Sequence, residues 1–127
     1  YIMFVMLLKR PDKVIHLINE IVEINGSVVI YGAGVFGKGI YNQLKQNKKI
    51  KELFIVDKQW KNLSKENILI DNPERIPDIN PDKVIIAILD ERGCNYVKDY
   101  LIGIGIGTDK IIRINFSELC GNKVFDI

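Results

Sequence analysis

The sequence predicts an α/β fold in three layers: a doubly wound parallel sheet of about five strands with helices on both faces, plus one additional helix at the N-terminal end. Three observations carry this expectation. First, short runs such as Val28-Val29-Ile30-Tyr31 and Val84-Ile85-Ile86-Ala87-Ile88-Leu89 are continuously apolar, as strands buried on both faces are. Second, these runs alternate with stretches of helical periodicity, and that alternation implies right-handed crossovers between parallel strands. Third, a glycine cluster, Gly32-Ala33-Gly34-Val35-Phe36-Gly37, stands at a strand-to-helix junction.

The elements follow in order. Pro11 to Asn25 reads as a helix, with Val14, Leu17, Ile18, Ile21 and Val22 forming one apolar stripe. Asn25-Gly26 is a plausible stop. Ser27 to Tyr31 is the first strand, and a helix from Val35 to Asn47 presents Phe36, Ile40 and Leu44 on one face. Gly39 inside that helix costs about 1 kcal/mol relative to alanine, which close approach to a neighbouring element would explain. Leu53 to Val56 is the second strand and ends in Asp57. Lys58 to Lys83 is polar and turn-rich, containing a short strand candidate at Ile68-Leu69-Ile70 and a single helical turn at Pro73-Glu74-Arg75-Ile76. Val84 to Leu89 is the fourth strand. A helix from Glu91 to Ile102 carries Cys94, Val97 and Leu101 at helical spacing. Gly103 to Gly107 forms a return loop, and Ile111 to Ile114 is the last strand.

A chain of 127 residues fits one domain with a core that needs no staples. Its divisions are an apolar segment and helix over 1–26, the core over 27–114 and a tail over 115–127. The composition, 47% hydrophobic and 27% charged, is that of a soluble domain. A net charge of +2 gives no reason to expect nucleic acid or an anionic membrane surface as a partner. Cys94 and Cys120 share no metal-ligand spacing and fit a reducing, cytoplasmic setting. The apolar run Tyr1 to Leu8 is far short of the roughly 20 residues a spanning helix needs, so no membrane insertion by this segment is expected. It lacks the flanks of a signal peptide. Its need for cover makes a homo-oligomer the expected assembly. The start at Tyr rather than Met is what a piece of a longer, even membrane-anchored, protein would show.

The chemistry lies in the glycine cluster. A lone G-x-G-x-x-G is weak, but here it follows a buried strand, opens a helix, sits in a strand-helix-strand unit and precedes an acidic residue, Asp57, by twenty positions. Gly32 permits the tight turn, Gly34 lets a pyrophosphate approach the backbone, and Gly37 lets the helix pack closely. The helix start offers unpaired N–H groups and the positive end of its dipole. Asp57 is placed to accept hydrogen bonds from ribose hydroxyls and to disfavour a 2′-phosphate, which favours NAD; Lys58 beside it weakens that preference. The candidate cofactor-binding residues are therefore Gly32, Ala33, Gly34, Val35, Phe36, Gly37, Asp57, Lys58 and, at the fourth strand, Ala87. The competing reading is a tight turn with a vestigial site.

The run Val28 to Gly37 resembles the nucleotide-binding domain of the nucleoside-diphosphate-sugar dehydratases and epimerases. It is especially similar to the small domain that precedes the catalytic part of bacterial polysaccharide-biosynthesis dehydratases. Phe54-Ile55-Val56-Asp57, Pro73-Glu74-Arg75-Ile76 and Lys83 to Leu89 resemble that domain's second strand, proline-led turn and fourth strand. The resemblance implies a Rossmann-like sheet in the order 3-2-1-4-5 and a bound NAD, NADP or nucleotide sugar. It also implies catalytic residues on a second unit, for which this chain has no room. Lys61-Asn62-Leu63-Ser64 stands where the family often has a glycine-rich insert.

Other features carry less. Tyr41-Asn42-Gln43-Leu44-Lys45 matches Y-x-x-x-K but sits on the wrong helix for hydride chemistry. His16 has no nameable partner. Asp90 reads as a helix cap first and a ligand contact second, and Trp60 covers either an adenine or the sheet edge. No residue pair suited to acid–base catalysis is found, so no catalytic or metal-binding residue is expected. The function expected is a nucleotide-binding module of a sugar-nucleotide enzyme. The alternatives are a stand-alone dinucleotide sensor or a scaffold with an unused site.

Overall fold

The computed structural model describes residues 24–63 and 68–113. Strand β1 (Gly26–Tyr31) leads into helix α1 (Val35–Leu44) and strand β2 (Ile50–Val56). A four-residue helix α2 (Trp60–Leu63) and the two-residue strand β3 (Ile70–Asp71) follow. A 3₁₀ turn, Pro73–Arg75, runs into the short helix α3 (Ile76–Ile79), then come strand β4 (Lys83–Ile86), helix α4 (Glu91–Gly103), a second 3₁₀ turn (Thr108–Lys110) and strand β5 (Ile111–Arg113). All pairings are parallel and the strand order is β3-β2-β1-β4-β5, as expected.

Strand alternation assigns the two layers. Val28 and Ile30 face α1 and pack with Phe36, Ile40, Leu44, Ile55 and Ile85. Val29 and Tyr31 face the other way and pack with Val56, Ile76, Val84, Ile86, Cys94, Val97 and Leu101. In register, Ile30 stands between Ile55 and Ile85, and Tyr31 between Val56 and Ile86. Each fully buried aliphatic side chain contributes about 1.5–3 kcal/mol. The four-residue helices α2 and α3 are too short to hold themselves; Trp60, Leu63 and Ile76 tie them to the two cores.

Several boundaries shift. β2 begins at Ile50 rather than Leu53, because Ile50 and Glu52 pair with Gly26 and Ser27 of β1, with Lys51 bulged between them and the Lys51 and Glu52 side chains exposed. α1 stops at Leu44, where Gln46 and Asn47 close into turns on Gln43 and Leu44. β4 leaves the sheet after Ile86, three residues earlier than its apolar run, and α2 has no counterpart in the expectation. The expected helix over 11–25 (apart from Ile24 and Asn25, which are coil), the apolar residues 1–8 and the tail lie outside the described residues.

At the amino edge of the sheet, Asp82 ties β4 to β1. Its Oδ2 accepts hydrogen bonds from the Ser27 backbone N–H (2.9 Å) and the Ser27 hydroxyl (3.2 Å). The Asp82 N–H returns one to the Ser27 carbonyl at 2.8 Å.

Candidate phosphate-loop site

The chain runs outward from β1 to β2 and β3, then crosses back to β4 and β5, so strand order reverses between β1 and β4. Sheets of this type bind ligands outside the carboxyl ends of their strands at such a switch point. The loop Gly32 to Gly37 occupies that position.

The three motif glycines are not equivalent. Gly32 has φ +119°, and a Cβ there would sit 2.9 Å from the Ala87 carbonyl oxygen. A Cβ on Gly37 would collide with the Gly32 carbonyl oxygen. The fold itself requires both. Gly34 differs: its backbone is extended (φ −76°, ψ −170°) and a Cβ would meet nothing within 4 Å. Neither strain nor packing calls for glycine there, and the space above it is open.

Gly34 is the N-cap of α1 and supplies no side-chain cap. The first-turn N–H groups of a helix have no intrahelical acceptor, so Val35, Phe36 and Gly37 present donors and a positive dipole end to the switch point. The Val35 side chain is 71% exposed at the loop, whereas Phe36 is buried in the α1 core. Phe36 therefore faces a ligand with its backbone alone.

Asp57 has a task the sequence did not reveal. Its Oδ2 accepts the Ala33 N–H at 2.8 Å and its Oδ1 accepts the Gln59 N–H at 2.8 Å. Both oxygens are thus engaged in holding the loop against the end of β2, and the buried Ala33 spends its N–H on that bond rather than on a phosphate. The carboxylate thus holds the loop, while each oxygen keeps a second lone pair that a ribose hydroxyl can use. Gly32 is held to the same strand through its N–H on the Val56 carbonyl, 2.8 Å. Ala87 packs under the loop, its N–H bonded to the Tyr31 carbonyl at 2.9 Å. The Lys58 ammonium lies over the Tyr96 ring, 5.5 Å from its centroid, on the α4 side of the sheet.

That side holds residues no motif announced. Tyr31, immediately before the loop, is 7% exposed and meets Tyr100 edge-on at 6.3 Å. Burial, and then the neighbouring Tyr100, Asp57 and Tyr96, push its phenol up to about 12. The available signal was position: the last residue of β1 must point to the α4 face if Ile30 points to α1.

The remaining candidates resolve to structural roles. Asp90 caps α4, accepting the Gly93 N–H at 2.8 Å. Cys94 is buried, and burial pushes its thiol up. Trp60 packs against the α1 core. Tyr41 and Lys45 meet on α1, away from the loop. His16 and Cys120 lie outside the described residues. Among the described residues no group of three or more His, Cys, Asp or Glu is placed to hold a metal, and no helix is long and apolar enough to cross a membrane.

The family model of the PglD N-terminal domain matches residues 27–113. The chain belongs to that family. Its matched segment is the whole described sheet from β1 to β5, so the resemblance to a small Rossmann-like nucleotide-sugar domain rests on the complete architecture. Among solved structures, the PglD-type domain is similar to UDP-D-quinovosamine 4-dehydrogenase from Vibrio fischeri, with 20% identity and TM-score 0.58 over 79% of this chain and 87% of that one. It is also similar to RSP in complex with β-NADH, with 17% identity and TM-score 0.56 over 91% of this chain and 64% of that one. The same protein with β-NAD⁺ and operator DNA matches at 18% identity and TM-score 0.53, over 91% of this chain and 67% of that one. At these identities the likeness is one of fold. Because RSP carries operator DNA, the fold by itself does not exclude a nucleic-acid partner. No curated protein matches the chain.

Proposed function

We propose that this domain binds a nucleotide through a pyrophosphate seated on Gly32 to Gly37, as the nucleotide-binding module of a sugar-nucleotide-modifying enzyme of dehydratase or epimerase type. The observation that carries this reading is Gly34, a glycine that neither conformation nor packing requires, at a helix N-terminus on the switch point of the sheet. Membership of the PglD N-terminal domain family and the fold likeness to a UDP-sugar dehydrogenase support the sugar-nucleotide setting. NAD is the favoured cofactor, with a nucleotide sugar as the alternative occupant. The module holds its ligand, and catalytic groups come from elsewhere, since among the described residues no acid–base pair stands beside the loop. A dinucleotide-sensing role is the second reading, favoured by the likeness to RSP with NADH and operator DNA.

A thermal-shift panel of NAD, NADP and UDP-sugars tests the proposal. A ligand at 100 times its Kd adds about 2.7 kcal/mol of stability. Absence of a shift with every one of them overturns the reading.

A further inference from the structure

The net charge of +2 conceals how the cations are placed. The turn between α1 and β2 carries Lys45, Lys48, Lys49 and Lys51, four lysines in seven residues with no acid among them, and all four are exposed. That turn is held firmly. The Asn47 N–H donates to the Leu44 carbonyl (2.9 Å), the Ile50 N–H to the Asn47 carbonyl (3.1 Å) and the Lys49 N–H to the Asn47 Oδ1 (3.0 Å). The Lys49 carbonyl in turn accepts the Gly26 N–H at 2.9 Å, which fixes the turn to the start of β1. Lys110, just ahead of β5, lies at the same amino edge, since it and Lys51 both act on the Asp82 carboxylate. Glu52, Asp78, Asp82 and Asp109 share this edge, yet among the described residues none of them forms an ion pair with a lysine of the turn. Like charges crowded on a fixed turn repel one another, and no ion pair offsets that cost.

The same edge receives the preceding chain, because β1 begins there at Gly26. Eighteen positions before Gly26 stands Leu8, the end of the apolar run from Tyr1, and Lys9, Arg10 and Lys13 follow it. We propose that the amino edge of the sheet, through Lys45, Lys48, Lys49, Lys51 and Lys110, rests on an anionic lipid surface, with the apolar residues 1–8 as a second contact with that surface. The acyl region takes apolar side chains and the anionic headgroups take the lysines. One weak anchor alone binds reversibly, and a basic patch beside it makes the attachment stable. Duplex nucleic acid matches the lysines but leaves the apolar run without a partner. Parallel strands put the two edges of the sheet at opposite ends, about 20 Å apart over the six residues of β1. Resting on its amino edge, the domain turns the glycine loop away from the lipid and toward soluble ligands, so this inference is independent of what the loop binds.

Co-sedimentation of the full chain with lipid vesicles tests this. Vesicles of equal parts phosphatidylserine and phosphatidylcholine are expected to bind the protein, and vesicles of phosphatidylcholine alone to bind it far more weakly. Binding should fall as added salt screens the surface charge. Each lysine at an anionic surface changes affinity about fivefold, so the double variant Lys48→Gln, Lys49→Gln should bind about twenty-fivefold more weakly. Lys61→Gln with Arg92→Gln removes the same charge from the opposite edge and should bind as the parent does. All four side chains are exposed, so the melting curves should match the parent. An equal loss in both double variants, or a loss in neither, overturns the placement at the amino edge. A parent that does not bind the phosphatidylserine vesicles, or binds both vesicle types equally, overturns the anionic lipid partner. So does a parent that prefers a DNA duplex of random sequence to those vesicles.

Discussion

Gly34→Asp separates a glycine kept for folding from one kept for a ligand. The backbone at Gly34 lies in the extended region open to any residue, and a Cβ there meets open space. Replacing a glycine at such a compatible site gains about 0.4–1 kcal/mol by restricting the unfolded chain. An aspartate at this N-cap accepts first-turn N–H bonds and adds a few tenths of a kcal/mol over glycine, with about 0.3–1 kcal/mol more from the helix dipole. The sum is about 1–2 kcal/mol of added stability, a rise of roughly 4–8 °C in Tm for a domain of this size. The same carboxylate occupies the donors that a pyrophosphate needs and repels its charge, so binding is lost. Gly37→Ala is the control. Its methyl group collides with the Gly32 carbonyl, and overpacking of this kind costs about 1–3 kcal/mol or more. Calorimetric melting with and without nucleotide reads both effects. If Gly34→Asp melts below the parent, or still binds nucleotide with parental affinity, Gly34 is not the ligand's glycine.

Three further outcomes are expected. Asp57→Ala removes the acceptor of both the Ala33 and Gln59 N–H groups, so NAD and NADP affinities should fall together; a selective gain for NADP would return Asp57 to the ribose. Hydrogen bonds from Ser27 hold the Asp82 carboxyl below the usual carboxylate range. Its contribution is therefore present above the ordinary carboxylate pKa and lost as pH falls through the lowered one, so Asp82→Asn should flatten the acid limb of the stability–pH curve measured by urea unfolding. For Tyr31, pushed up to about 12, the sign reverses: stability is intact below about pH 10 and lost as pH rises toward the folded value, by about 1–2 kcal/mol once solvent at the hydroxyl is allowed for. Tyr31→Phe should abolish that alkaline loss; an unchanged alkaline limb would show that the phenol titrates normally.

The fold was legible because its signals are local. Continuous apolar runs marked β1 and β4, helical spacing marked α1 and α4, and glycines marked the junction after β1. What eluded the sequence depended on pairing. Lys51 and Glu52 are polar and exposed, yet β2 extends through them because Ile50 and Glu52 join the backbone ladder on β1, which needs no apolar side chain. Ile88 and Leu89 look like strand, yet the sheet ends at Ile86, where β1 gives way to the loop. The expected site residues gather at one edge, but their division of labour was not readable. Phe36 serves the core, Ala33 and Asp57 serve each other, and Lys58 turns toward α4.

Sequence alone determined the sheet and the glycine loop at its switch point, because strand burial, helix periodicity and turn conformation are set by neighbours a few residues apart. Tertiary structure alone decided which glycine is free of the fold and where the Asp57 carboxylate points. It also brought Tyr31, Lys58 and Tyr96 together. The Ala33–Asp57, Gly32–Ala87 and Lys58–Tyr96 contacts join residues 24, 55 and 38 positions apart, and only the folded sheet brings such residues within reach of one another.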